Sequence, residues 1–252
     1  MSDNGGLRFG AFAVAAKATE AFGRKVRCMG EMGFNTFVFD LDGTLLDTLP
    51  DLVVVTNRAL TEMGFPPRTT EEIHSFVGNG LMALMYQAIP EGAPKSAAEE
   101  AMDHWKALFP TYNNDLTRPY PGMPEALASL KAHGARLGVL SNKFDAGVQQ
   151  VMNQFMPGVF DVMHGECEGI PRKPDPTGLL RTIDELGAIP SSTVYVGDSP
   201  TDIAVAQRAG VFSVGVSWGY HHADELRIAH AQAVIKDPRE LIALLGRQRR
   251  RG

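Results

Sequence analysis

Downstream of residue 35, short apolar runs alternate with amphipathic stretches. Thr36-Phe37-Val38-Phe39 reads as a strand that runs straight into Asp40. Helical spacing covers Pro124–His133, with Gly134 placed to end it, and the strand Leu137–Leu140 follows and stops at Ser141-Asn142. A helix over about Thr177–Leu186, closed by Gly187, precedes the strand Val194–Val196 and its terminal Gly197-Asp198. The helix Asp202–Ala209 closes at Gly210 before the strand Val211–Val216. A last unit joins the strand Ala233–Ile235 to a helix over about Pro238–Leu245.

Strands separated by helices imply crossover connections, and so an α/β fold with a Rossmann-like parallel sheet covered on both faces. In such folds ligands bind beyond the carboxyl ends of the strands. Asp40, Ser141 and Asp198 each stand at such an end, so three polar residues from distant segments converge. Between Leu49 and Pro119 the alternation stops. Leu52–Met63, Glu71–Val77, Leu81–Ile89 and Ala97–Leu108 all read as helices with no strand between them. About 70 helical residues inserted between two core strands suggest a separate α-helical cap domain. The expected division is an N-terminal extension over 1–35, a core of 36–49 and 120–246, a cap of 50–119, and a basic tail of 247–252.

Composition narrows the partners. A net charge of −5 argues against a nucleic acid held through its phosphates, and Arg247, Arg249, Arg250 and Arg251 read as a solvated tail. Cys28 and Cys167 are too few for a disulfide framework, which points to a reducing, cytoplasmic setting. No apolar run approaches the roughly 20 residues that span a bilayer. The apolar stretch Ala11–Ala16 is short, and Asp3, Glu20 and Glu31 weigh against a transit peptide, so the extension reads as an amphipathic helix. Met29 or Met32 is an alternative start, because the first core strand follows Gly33 directly. His164 with Cys167, and His221, His222 with Asp224, do not assemble four zinc ligands at familiar spacing. The expected working form is a monomer or homodimer.

The densest chemical signal is Asp40-Leu41-Asp42-Gly43-Thr44-Leu45-Leu46-Asp47-Thr48. Gly43 permits a tight turn and Thr44 can hydrogen-bond within it. Turn propensity explains Asp42-Gly43 but not an acid at the end of an apolar strand, where ionisation calls for a cation nearby. Magnesium suits a few carboxylates plus water and phosphate.

This segment resembles the first signature of the haloacid dehalogenase superfamily of phosphohydrolases, and three further signatures are similar in order. Ser141, in Val-Leu-Ser-Asn, resembles the second, which implies phosphate binding by its hydroxyl and by backbone N–H groups including that of Asn142. Lys173, in Arg-Lys-Pro-Asp-Pro, resembles the third, an ammonium that neutralises nucleophile and phosphate. Asp198, in Gly-Asp-Ser-Pro-Thr-Asp, resembles the fourth and would complete a Mg2+ site, with Asp202 supporting it. The resemblance implies Asp40 as nucleophile and Asp42 as general acid and base, with the metal on the Asp40 and Asp198 carboxylates and the Asp42 carbonyl. Dehalogenases of the superfamily lack the second acid, so its presence here makes a small phosphorylated metabolite the expected substrate.

Val77-Gly78-Asn79-Gly80-Leu81 and Gly215-Val216-Ser217-Trp218-Gly219-Tyr220 resemble phosphoglycolate phosphatases with a helical cap. Gly78, Asn79 and Gly80 either offer N–H groups to an anionic substrate or form an ordinary interhelical turn. Arg68 and Arg118 are candidate cations for a substrate carboxylate. Lys143 and Arg172 read as surface residues, and Trp218 and Tyr220 as packing at the loop edge. The alternatives are a pyrophosphatase, a sugar-phosphate phosphatase, or a β-phosphoglucomutase-like phosphomutase. Asp40→Asn is expected to abolish turnover of an aryl phosphate ester; retained activity would refute Asp40 as nucleophile.

Overall fold

The computed structural model describes residues 33–94 and 96–246. Most of the proposed extension, with the question of Met29 or Met32 as start, and the basic tail lie outside the described residues.

The elements run β1 (Thr36–Phe39), β2 (Leu46–Asp47), α1 (Leu49–Glu62), α2 (Thr70–Phe76), α3 (Leu81–Ala88) and α4 (Ser96–Leu108). There follow β3 (Arg118–Pro119), α5 (Met123–Ala132), β4 (Arg136–Phe144), α6 (Asp145–Phe155), β5 (Val162–Glu166) and α7 (Thr177–Glu185). The chain continues with β6 (Thr193–Gly197), α8 (Pro200–Ala209), β7 (Phe212–Val216), α9 (Ala223–Ile228) and β8 (Ala233–Ile235). Short 3-10 turns fall at Phe109–Thr111, Pro190–Ser192 and Pro238–Leu244.

Six strands form one sheet in the order β5-β4-β1-β6-β7-β8, and every pairing in it is parallel. β1 lies near the centre because it is short, apolar and needed on both sides. Side chains alternate along a strand, so Phe37 and Phe39 enter the larger core while Val38 enters a second one against Leu179, Ile183, Val205 and Ala206. All three are fully buried, as a strand covered on both faces requires.

The four helices α1 to α4 interrupt the chain between β2 and β3. Those two strands pair antiparallel, Leu46 with Pro119 and Asp47 with Arg118, so both crossings between core and helical insert are tied into one ribbon. Asp51, buried at the start of α1, braces the same crossing by accepting from the backbone N–H groups of Leu116 and Thr117 and the Thr117 hydroxyl. Trp105 of α4 is the largest buried side chain of the insert. It stacks on Phe109 at 5.0 Å and meets Phe144 of β4 edge-on at 5.6 Å, and its indole N–H donates to Thr56. The cap is thereby packed onto the core above the carboxyl ends of the strands.

Four elements differ from the sequence reading. β4 does not stop at Ser141-Asn142 but runs on to Phe144, with a register shift against β5 between Leu140 and Phe144. The helix α6 begins at Asp145 with no turn residues to announce it, and the short α9 was likewise not predicted. The segment Pro238–Leu244 winds as a 3-10 helix rather than an α-helix.

Candidate active site

Register brings the strand ends level. Phe39 pairs with Val139 on one side and Val196 on the other, so Asp40, Ser141 and Asp198 emerge along one rim. The Asp40 N–H donates to the Val196 carbonyl at 2.9 Å, which fixes the backbone at the point where the strand ends. The chain then folds tightly: the N–H groups of Thr44, Leu45 and Leu46 all converge on the Leu41 carbonyl. Gly43 sits in this turn at φ +79°, and a Cβ there would fall 2.4 Å from the Asp198 Oδ2. Gly219 closes the other side, where a Cβ would lie 2.3 Å from the Asp198 Cβ. Asp198 is therefore wedged between two glycines. The Thr44 hydroxyl donates to its Oδ1 at 2.9 Å and the Tyr220 N–H to its Oδ2 at 2.8 Å.

Lys173 joins the acids. Its side chain is 3% exposed, and its Nζ lies 2.7 Å from Asp202 Oδ1 and 2.9 Å from Asp40 Oδ1, and donates to the Tyr195 hydroxyl at 3.0 Å. Burial works against this ammonium, but Asp202 and Asp40 outweigh it and hold its pKa well above the ordinary range. The second oxygen of Asp202 accepts from the Ser199 N–H and hydroxyl, so this carboxylate also caps α8. The Tyr195 hydroxyl in turn donates to the Leu140 carbonyl at 2.8 Å. Burial raises the other two acids, Asp40 to about 6 against the pull of Lys173, and Asp198 to about 8 with Asp202 and Asp40 adding to the rise.

Carboxylate oxygens of Asp40, Asp198 and Asp202 lie within 4.8 Å of one another. Asp40 Oδ1 is buried with no hydrogen-bond donor aligned on it; Lys173 is its ion-pair partner only. Each Asp202 oxygen accepts two hydrogen bonds, whereas each Asp198 oxygen accepts one and Asp40 Oδ1 none, so Asp40 and Asp198 retain accepting capacity. An all-oxygen set with an orphaned, desolvated carboxylate fits a hard divalent cation. The Asp42 carboxylate stands apart from the cluster: its Oδ1 accepts from the Thr48 hydroxyl at 2.5 Å and from Lys143 at 3.1 Å. Among the described residues neither zinc combination gathers into a ligand cluster, and His164 is paired to Glu185 at 2.8 Å.

Over the acids lies a cleft with about 710 Å³ of atom-free space, part of it open to solvent. Its roof is apolar, formed by Leu52, Val77, Leu81, Leu84 and Trp105 with Phe144. Gly78 and Gly80 line it too, and their loop is stitched to the core through carbonyls. Asn142 Nδ2 donates to the Gly78 carbonyl at 3.1 Å, and Arg172 donates to the Asn79 carbonyl at 2.9 Å. The Asn142 side chain also exchanges hydrogen bonds with the Lys173 backbone in both directions. Asn142 thus ties the cap, β4 and the Lys173 loop together.

Several expectations need correcting. Lys143 is not a surface residue: its side chain is 6% exposed and paired with Asp42. Arg172 reaches both the cap and Glu166, the latter at 2.6 Å. Tyr220 does more than pack, because its hydroxyl meets Thr48 while its N–H meets Asp198. Arg68 is spent on the Ala88 and Ile89 carbonyls, and Arg118 on those of Asp115 and Thr117; neither lines the cleft. Strand alternation carried the overlooked signal for Lys143, which sits two residues beyond Ser141 on the extended β4.

The family model for haloacid dehalogenase-like hydrolases matches residues 37–216. The chain belongs to that family. A phosphoglycolate phosphatase of Pseudomonas putida is 34% identical over 210 residues, covering 81% of this chain and 77% of that protein. One from Aquifex aeolicus is 31% identical over 184 residues, covering 73% and 84%. The crystal structure of a predicted phosphoglycolate phosphatase from Haemophilus somnus superposes with a TM-score of 0.77 at 27% identity, over 83% of this chain and 96% of that one. Among the described residues, no helix of this hydrolase is long and apolar enough to cross a membrane.

The raised carboxyl pKa values give a pH signature. A group whose folded pKa exceeds its unfolded value stabilises the fold below the unfolded pKa and loses that contribution as pH rises through the folded one. Metal-free protein should therefore lose stability as pH climbs from about 4 through about 6 and about 8, the folded values of Asp40 and Asp198. Mg2+ should raise the unfolding temperature more at about pH 8.5 than at about pH 5. Thermal unfolding with EDTA and with Mg2+ at both pH values checks this. An equal or smaller increment at the higher pH counts against the assignment.

Proposed function

We propose that this hydrolase is a magnesium-dependent phosphatase of small phosphate monoesters, with 2-phosphoglycolate as the substrate that fits its cleft best. The observation that carries the reading is the buried, hydrogen-bond-free Oδ1 of Asp40, held beside Lys173 with a second acid two residues on. A carboxylate so placed is desolvated and held beside a cation, the setting in which an activated carboxylate nucleophile can work. The names of the relatives support the choice of ester.

Asp40 would attack phosphorus and carry the phosphoryl group as an aspartyl phosphate, which water then cleaves. Lys173 would neutralise the carboxylate and the incoming dianion together. Ser141, at the rim and 5% exposed, would bind the transferring phosphoryl group through its hydroxyl and the neighbouring N–H groups. The Asn142 side chain is occupied by Gly78 and Lys173, so its part would be to hold the phosphate loop rather than to touch phosphate. Asp42 would give a proton to the leaving alkoxide and take one from the attacking water, kept in position by Thr48. Mg2+, held by Asp40, Asp198 and the Asp42 carbonyl, would supply charge neutralisation at the phosphate. Gly43 and Thr44 would position Asp198, and Asp202 would position Lys173.

The roof bears on the substrate. Leu52, Val77, Leu81 and Leu84 offer no partner to sugar hydroxyls, and the Trp105 N–H is taken by Thr56. A hexose would leave several hydroxyls unpaired there, whereas a two-carbon ester presents none. With Mg2+ present, kcat/KM should be at least about tenfold higher for phosphoglycolate than for pyrophosphate or hexose phosphates. Either of those ranking first overturns the substrate choice, and turnover that depends on a bisphosphate activator would favour a phosphomutase.

A further inference from the structure

A substrate with both a phosphate and a carboxylate presents two anions, and the site described so far answers only one of them. Among the described residues that line the cleft, the lysines are Lys173 and Lys143. Lys173 is committed to Asp40 and Asp202, each within 3 Å. The cap side contributes apolar side chains and two glycines, and the two arginines that sequence suggested for this duty are engaged elsewhere. A second anion can therefore be met by charge only from the core side.

We propose that Lys143 is the residue that selects substrates bearing a carboxylate next to the phosphate, an inference that rests on the phosphatase reading above. The ammonium is almost fully buried, lies against the Phe109 ring at 5.8 Å, and is held by Asp42 at 3.1 and 3.4 Å. A buried lysine is retained only with a counter-charge. Asp42 plays that part without substrate. A substrate carboxylate entering the cleft exchanges with Asp42 as the partner of Nζ, which leaves the Asp42 Oδ1 to its bond with Thr48. His221 lines the same cleft and its Nδ1 is buried without a partner, so it offers one hydrogen bond to the same carboxylate. The β4 extension places this selection: Ser141 and Lys143 are alternate residues of one strand, so the phosphate end and the carboxylate end of a two-carbon substrate are gauged from a single rigid element.

The test compares phosphoglycolate with ethyl phosphate, an ester of the same carbon count without the carboxylate. Wild-type protein should favour phosphoglycolate by at least about tenfold in kcat/KM, since a charge-assisted pair in a dry site contributes discrimination of that order. Lys143→Met should collapse the ratio of the two kcat/KM values by about 10- to 100-fold, mainly through KM for phosphoglycolate. Lys143→Arg, which keeps the charge, should retain more of the ratio than the methionine variant. Any loss transmitted through Asp42 affects both esters and cancels in the ratio. A ratio unchanged by Lys143→Met overturns the proposal. So does wild-type protein that cleaves both esters equally, a result that needs no variant to fold. If wild-type protein instead prefers pyrophosphate or hexose phosphates, the substrate reading fails, while the ethyl phosphate comparison still judges Lys143.

Discussion

Three carboxylates cluster at the end of the central strand with one ammonium that pairs with two of them, and much of the site follows from that imbalance. Asp40, Asp198 and Asp202 against Lys173 leave two negative charges where water is largely excluded. Burial of charge at this density is tolerated only when it is paired, protonated or metal-bound. Protonation is the response of the metal-free fold, visible in the raised pKa values of Asp40 and Asp198. A divalent cation would be the other response, and would convert the same excess of negative charge into a site for a phosphate dianion.

The fold meets this demand with rigid parts. Parallel strands in register deliver Asp40 and Asp198 side by side, and the turn about Leu41 keeps Gly43 pressed to Asp198. Asp202 is fixed by the helix it caps, and through it Lys173 is fixed too. The cap is less regular in its attachment. It touches the site through the 78–80 loop, the Trp105–Phe144 contact and the edge-on pair of His74 with Tyr220 at 5.4 Å. On the proposed reading, chemistry is set by the core, and the choice of ester by where cap and core meet.

Legibility from sequence divides along the same line. β1, β6, β7 and the cap helices announce themselves by period, and the core helices α5, α7 and α8 also by their glycine stops, while Asp40, Ser141, Lys173 and Asp198 stand at strand ends or in short motifs. What stayed hidden depends on pairing across the chain. The run of β4 past Ser141 is sustained by β5 beyond a register shift, which no local pattern reveals, and Lys143 was lost with it. Tyr220 looks like loop packing until its N–H is seen on Asp198 and its hydroxyl on Thr48, 172 residues away. Arg68 and Arg118 looked available because a sequence shows charge but not which carbonyls have already claimed it.

The carboxylate cluster itself admits a direct test. Because burial lifts Asp198 to about 8, an ion that binds there at neutral pH must displace a proton. Calorimetric titration of Mg2+ at about pH 7, in two buffers of different ionisation enthalpy, counts the protons released on binding. The account predicts one bound ion with net proton release, and loss of both in Asp198→Asn. Binding that releases no proton, or that survives Asp198→Asn unchanged, would contradict it.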